Sequence, residues 1–242
     1  MKNLQQYLNE GHTSTYNRQE YVDNKDHDKY KQYATDYLVA LNKGDKLCTC
    51  IVKAIKRTND ILDIFYTNKI SKFLTGQMIG KFIETSLSEN MTNVNGFKFS
   101  HGKESGIDKD IKCVSVPSGF NIDGLGSSIK DGIFDIELKT SKSNRFTGNK
   151  SYAQDTNSNK NKDSFYILIK YKLSKELPED NEQDNKEKNF RFSITSLEAY
   201  FGYLTQNDWW YGDKGNAASL KTDVLKDKRL IQIIGQSKTD TI

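Results

Sequence analysis

Residues 132–144 read GIFDIELKTSKSN. From Phe134 to Lys139 the order is Phe, Asp, Ile, Glu, Leu, Lys, a strict alternation of apolar and charged side chains. Successive side chains of a strand point to opposite faces. The stretch therefore predicts a strand that sends Phe134, Ile136 and Leu138 into a core and sets Asp135, Glu137 and Lys139 on the other side. A solvated outer face is one way to accommodate such a row of charges. A centre built to hold a hard metal ion is another.

The preceding sequence bears on the choice. DIKCVSV (110–116) has the composition of a strand, and the segment 117–131 is rich in turn residues. If the two strands form an antiparallel pair turning near Asp123 and Gly124, Asp110 falls opposite Glu137. Two carboxylates so placed can hold Mg²⁺ through oxygen and leave positions for a phosphate oxygen and water. The carbonyl of Leu138, between Glu137 and Lys139, is a natural further ligand. Lys139 is then suited to position or help deprotonate an attacking water and to counter the charge that builds on phosphorus. An acid-x-Lys triplet alone is weak in so charged a chain; the apolar alternation and the facing aspartate make it informative. Asp108, Asp123 and Asp131 compete with Asp110 as the upstream acid.

Composition bounds the class. The chain has 242 residues, enough for one substantial core, with 35% hydrophobic and 28% charged residues. No run approaches the roughly 18 apolar residues of a membrane span. The start, MKNLQQYLNEGHTSTYNRQEY, lacks the apolar segment of a signal peptide, so a cytoplasmic location is expected. Cys48, Cys50 and Cys113 are too few and wrongly spaced for a disulfide framework or a four-ligand zinc site. Net charge is only +4, but its distribution is uneven. Residues 137–172 carry eight positive and three negative charges, whereas 174–189 carry six acids against three lysines. A basic zone beside carboxylates suits a polyanionic substrate that must meet a metal.

Elsewhere the pattern is readable in pieces. Residues 1–35 read as a polar arm or irregular helix, within an N-terminal helical or irregular region over 1–70. Residues 71–242 are expected to form the main functional unit, the two parts making one compact body. The segment from Tyr30 to Tyr66 has apolar residues at mixed helical spacing, with NKGD (42–45) as a break. A helix from about Gly76 carries Met78, Ile79, Phe82, Ile83 and Leu87 on its apolar stripe and Glu84 on its flank. Residues 95–107 are expected as a loop, SFYILIKYKL (164–173) as the most apolar, central strand, and FRFSITSLEAYFGYL (190–204) as a strand running into a helix. KDKRLIQIIG (226–235) reads as a last short strand. These elements predict an α/β fold with a central mixed sheet flanked by helices.

The residues DIKCV and FDIELKTSKS together resemble the PD-(D/E)xK nuclease signature, without the proline of that name. GKESGIDKD, ELKTSKS, FTGNKSYAQ, FYILIKY and FGYLTQNDWWYGDKGNAASL extend the likeness to type II restriction endonucleases of the ScaI-like group. It covers roughly residues 75–235. The resemblance implies the nuclease fold, Mg²⁺ as cofactor, and cleavage of double-stranded DNA by a site-specific enzyme. It assigns Asp110 and Glu137 as metal ligands, with Leu138 through its carbonyl, and Lys139 as the lysine at the attacking water. It matches Glu84 to a supporting helix glutamate. It also implies a cognate DNA methyltransferase in the same system. The Asp110-to-Glu137 interval is longer than in many such nucleases, which keeps Asp123 and Asp131 open.

TSKSNRFTGNKSYAQ (140–154), after the charged strand, is rich in the hydroxyl, amide and cationic groups that bond phosphates and base edges. Lys142, Arg145, Asn149 and Lys150 are therefore expected near DNA. Trp209, Trp210 and Tyr211 lie beside glycines and read either as core aromatics or as exposed stacking groups. No HNH-type histidine pattern and no phosphate-binding Gly-rich loop occur, so no ATP-driven translocation is expected. Palindromic sites are best matched by a two-fold homodimer. A structure-specific or repair nuclease of the same fold, and a non-catalytic DNA-binding relative, are the competing expectations.

Overall fold

The structure is a computed structural model that describes residues 26–102, 109–125, 129, 132–149, 163–177, 189–211, 217–221, 224 and 229–238. Among the described residues three α-helices precede the sheet: α1 (His27–Leu41), α2 (Lys46–Thr67) and α3 (Gly76–Asn90). The break between α1 and α2 falls at the expected NKGD, where Gly44 and Asp45 take φ of 64° and 55°. Asparagine, aspartate and glycine tolerate that left-handed backbone better than other residues do. The polar arm expected up to residue 35 is corrected for its last part. Tyr33 and Ala34 are buried on α1, and the Tyr37 ring packs among Phe97, Phe120, Phe134, Phe165 and Phe201.

Seven strands form a mixed sheet in the order β1-β2-β3-β4-β6-β7-β10. They are β1 (Asn93–Val94), β2 (Phe97–His101), β3 (Ile111–Ser115), β4 (Ile136–Ser141), β6 (Ser164–Glu176), β7 (Arg191–Leu204) and β10 (Ile231–Lys238). A second sheet, β5-β9-β8, consists of β5 (Thr147–Asn149), β9 (Ala217–Leu220) and β8 (Trp209–Tyr211). The pairing of β4 with β6 is parallel, whereas the neighbouring pairs are antiparallel. The α/β class with a mixed central sheet and helices is thus the observed architecture.

β6 explains why its sequence is apolar throughout. Phe165, Ile167 and Ile169 join residues of the three helices in one core, while Tyr166 and Leu168 join Trp209, Ala218 and Leu220 of the small sheet in another. The seven-stranded sheet is therefore covered on both faces near its middle, and a strand buried on both faces loses the polar half of its alternation. Among the described residues no helix is long and apolar enough to cross a membrane.

Two expectations fail for identifiable reasons. Residues 95–101 are not a loop: Asn95 and Gly96, with φ of 50° and 87°, turn the chain from β1 into β2. An Asn-Gly pair is the residue choice that such a two-residue hairpin turn favours. The helix expected at the end of 190–204 is also absent, because β7 continues as strand to Leu204. Its pairing with β6 shifts between Lys172/Ser196 and Leu173/Ile194, leaving Thr195 as an extra residue. Ile194 and Leu197 both face the core, three residues apart, and so imitate helical spacing. The WWY segment is strand β8, with Trp209 fully buried against Tyr166.

Candidate active site

The charged strand meets β3 at a fork. Ile111–Ile136 is the ladder pair recorded between β3 and β4, and it sets Asp110 across from Glu137 as the alternation requires. Beyond that pair the main-chain N–H of Leu138 is taken by a side chain: it donates to Asp110 Oδ2 at 2.9 Å. Asp110 is itself held in place through its carbonyl, which accepts from Gly102 N at 3.2 Å and from Ser88 Oγ of α3 at 3.4 Å.

The ammonium of Lys139 fills the fork. Its Nζ donates to Glu137 Oε1 at 2.7 Å and to the Leu138 carbonyl at 2.9 Å, and lies 3.9 Å from Asp110 Oδ2. Three oxygens from two strands thus converge on one cation. Burial opposes the charge on Lys139, but Glu137, Asp110 and then Glu84 outweigh it and hold the lysine above its ordinary range.

Helix α3 contributes from the other side. Lys81 Nζ lies 3.5 Å from Glu84 and 3.9 Å from Asp110 Oδ1. Glu84 is half-buried, and burial together with the Asp110 charge pushes its carboxyl above the usual range, against the pull of Lys139 and Lys81. The helix can come this close because Gly80 packs on β4: an added Cβ there would come within 2.5 Å of Thr140 Oγ1. Parting of β3 and β4 lets groups of the helix layer meet groups carried by the opposite face of the sheet.

Asp110, Glu137 and the Leu138 carbonyl form a set of hard oxygen donors of the kind Mg²⁺ prefers, and the converging ammonium marks the position a cation takes among them. Among the described residues, three carboxylates, Asp110, Glu137 and Glu84, meet two lysines, Lys139 and Lys81. Among the described residues no group of three or more His, Cys, Asp or Glu side chains gathers around one metal position. The fit therefore rests on two carboxylates and one main-chain carbonyl, with Glu84 at the margin.

The remaining sequence-derived candidates fall in three groups. Asp123 is exposed in a turn whose neighbour Gly124 lies against Tyr33 of α1, apart from α3 and the fork. Asp108, Asp131 and Lys150 lie outside the described residues. Lys142 and Arg145 are exposed in a tight turn after β4, where Ser141 Oγ donates to the Arg145 carbonyl at 2.8 Å and Arg145 Nε donates to Ser219 Oγ at 3.4 Å. Asn149 closes β5 in the small sheet, opposite Ala217.

Asp135 separates from the row to which alternation assigned it. It precedes β4, is buried, and its Oδ1 accepts the Cys113 N–H of β3 at 2.7 Å. Burial, then this carboxylate, pushes the Cys113 thiol up to about 12. Asp135 thus ties the hairpin together. Sequence reasoning missed Lys81, although its spacing from Glu84 on a helix places the two on one face.

A cleft of about 550 Å³ adjoins the fork, lined by Gln77, Lys81 and Glu84 of α3, Thr140 and Lys142 at the end of β4, and Tyr171 of β6, among others. Comparison with family models, curated proteins and solved structures gave no match.

Proposed function

We propose that the chain is a Mg²⁺-dependent endonuclease of the PD-(D/E)xK type, acting on double-stranded DNA in the manner of a type II restriction enzyme. The observation that carries this reading is the convergence of Asp110, Glu137 and the Leu138 carbonyl on one cation position, which the Lys139 ammonium occupies in the metal-free chain. The sequence resemblance supports the same fold and chemistry.

Asp110 and Glu137, with the Leu138 carbonyl, would hold the metal. Bound there, Mg²⁺ supplies Lewis-acid stabilisation of the charge that accumulates on a phosphate oxygen. Lys139 orients a water for in-line attack on phosphorus and, as a cation, favours the more negative transition state. Glu84 and Lys81 set the local charge at the margin, and the half-buried setting strengthens each of these interactions relative to water. Lys142 and Arg145 would bind phosphate or base edges beyond the centre, and their exposure in the turn after β4 supports that role. A homodimer would present two such centres to the two strands of a palindromic site.

Digestion of a fully sequenced plasmid with Mg²⁺, followed by mapping of the ends, tests the reading. Wild type is expected to cut both strands at one short sequence, and Glu137→Ala to bind without cutting. Cuts dictated by DNA structure at any sequence would replace restriction by a repair or junction activity. Binding with no cleavage by either protein would leave a DNA-binding module.

A further inference from the structure

The cleft beside the fork extends past Asp110, Glu137 and Lys139 along α3. One wall is α3, which presents Gln77, Lys81 and Glu84; the other is the end of β4, which presents Thr140, Ser141 and Lys142. Tyr171 forms part of the lining at its base. Its volume, about 550 Å³, lies in the range of sites that enclose one small ligand and is far too small for a duplex.

Two cations stand at separate points of this cleft. Lys142 Nζ lies against Gly76, 3.4 Å from where a Cβ of that residue would sit. Lys81 is five residues further along the same helix, so its Cα is displaced about 7.5 Å along the helix axis. The two lysines therefore border the cleft at points offset along α3. Lys142 is exposed and the Lys81 side chain is 59% exposed, so both ammonium groups are open to a ligand. Lys81 also lies 3.9 Å from Asp110, which fixes the cleft's orientation: its Lys81 end adjoins the centre and its Lys142 end leads away.

We infer that this cleft is a subsite for a single DNA strand, binding two successive phosphates of the strand being cut. Lys81 takes the phosphate nearer the attacked position and Lys142 the next one outward. Gln77, Thr140 and Ser141 line the path between them with hydrogen-bonding groups. The inference rests on the endonuclease reading and adds to it the path of the scissile strand, which runs between α3 and the end of β4.

The test uses the full chain and a duplex spanning a mapped cut position, with Ca²⁺ replacing Mg²⁺ so that binding is measured without cleavage. Neutral methylphosphonates are placed singly at each phosphate around the cut. In wild type, neutralising either of two successive phosphates on one strand is expected to weaken binding about tenfold. Lys81→Met and Lys142→Met should each lose sensitivity at one of those two positions, and each should lower the slope of log affinity against log salt by about 1. Lys81→Arg and Lys142→Arg should restore sensitivity, and Lys56→Met, on the exposed side of α2, should behave as wild type. Unfolding temperatures measured alongside identify any variant that fails to fold, and the arginine variants then carry the comparison. DNA that is bound and cut with wild-type sensitivity by both methionine variants would overturn the subsite and leave the endonuclease reading standing. So would losses that map to opposite strands or to distant phosphates. A chain that neither binds nor cuts DNA overturns both.

Discussion

Two charge clusters among the described residues are built on different plans. In one, Arg229 grips both carboxylate oxygens of Asp208, which also accepts the Thr205 N–H at 2.7 Å and hydroxyl at 3.1 Å. The guanidinium donates further to the Tyr203 carbonyl, and both side chains are only 3% exposed. Charge is matched one to one and sealed. In the other, at the β3–β4 fork, three carboxylates share two lysines, and the group opens into a cleft. A closed pair specifies a fold, since desolvation is offset only while both partners remain. An open cluster that a cleft reaches can exchange its resident ammonium for an ion from outside.

That contrast can be broken in a definite order. Arg229→Met leaves Asp208 buried without its counter-charge, and is expected to cost about 3–5 kcal/mol of stability in urea unfolding. Glu137→Gln, which removes one of three like charges and leaves Lys139 its other oxygens, should cost only about 1–2 kcal/mol while abolishing cleavage. Equal losses from the two variants would erase the distinction between the clusters. Lys139→Met should also abolish cleavage, yet bind Mn²⁺ about tenfold more tightly in an EPR titration, because the three converging oxygens lose their resident cation. That tenfold corresponds to about 1.4 kcal/mol. Weaker Mn²⁺ binding by this variant would show that the ammonium assembles the oxygens and does not compete for them.

The smallest effect concerns Glu198 on β7. Burial raises its pKa, but the Tyr200 hydroxyl, donating at 2.6 Å, and Lys170, at 2.9 Å, reverse the shift and leave it below the usual value. A carboxylate whose folded pKa is depressed contributes stability above its unfolded pKa and loses it as pH falls through the folded one. Tyr200→Phe is therefore expected to cost about 1 kcal/mol near pH 7, with the deficit shrinking below the ordinary carboxylate value of 4.5. Thermal unfolding of both proteins from pH 7 to pH 3 measures it.

The centre was legible where one strand's alternation could be read by itself. Glu137, Lys139 and the facing Asp110 follow from a period of two and one hairpin. Asp135 obeys the same period and still leaves the row, because it precedes β4 and its carboxylate is engaged by the Cys113 N–H. Lys81 was not legible, since its role depends on how closely α3 approaches β4, and that is set by the absent side chain of Gly80. In the fold, β7 was misread because the extra Thr195 shifts the phase of its apolar residues. The Asn95-Gly96 turn was signalled in the sequence and passed over.

The parallel pairing of β4 with β6 has one further consequence. Parallel neighbours cannot be joined by a tight turn, so the chain must leave the sheet after Ser141 and return at Ser164 by a long excursion. That excursion begins at the residues nearest the proposed strand path and lends β5 to the small sheet. Its length is a demand of topology, while Glu137 and Lys139 are anchored in the ladder before it. Sequence changes in its described start, residues 142–149, would thus leave the register that positions those two side chains unaltered.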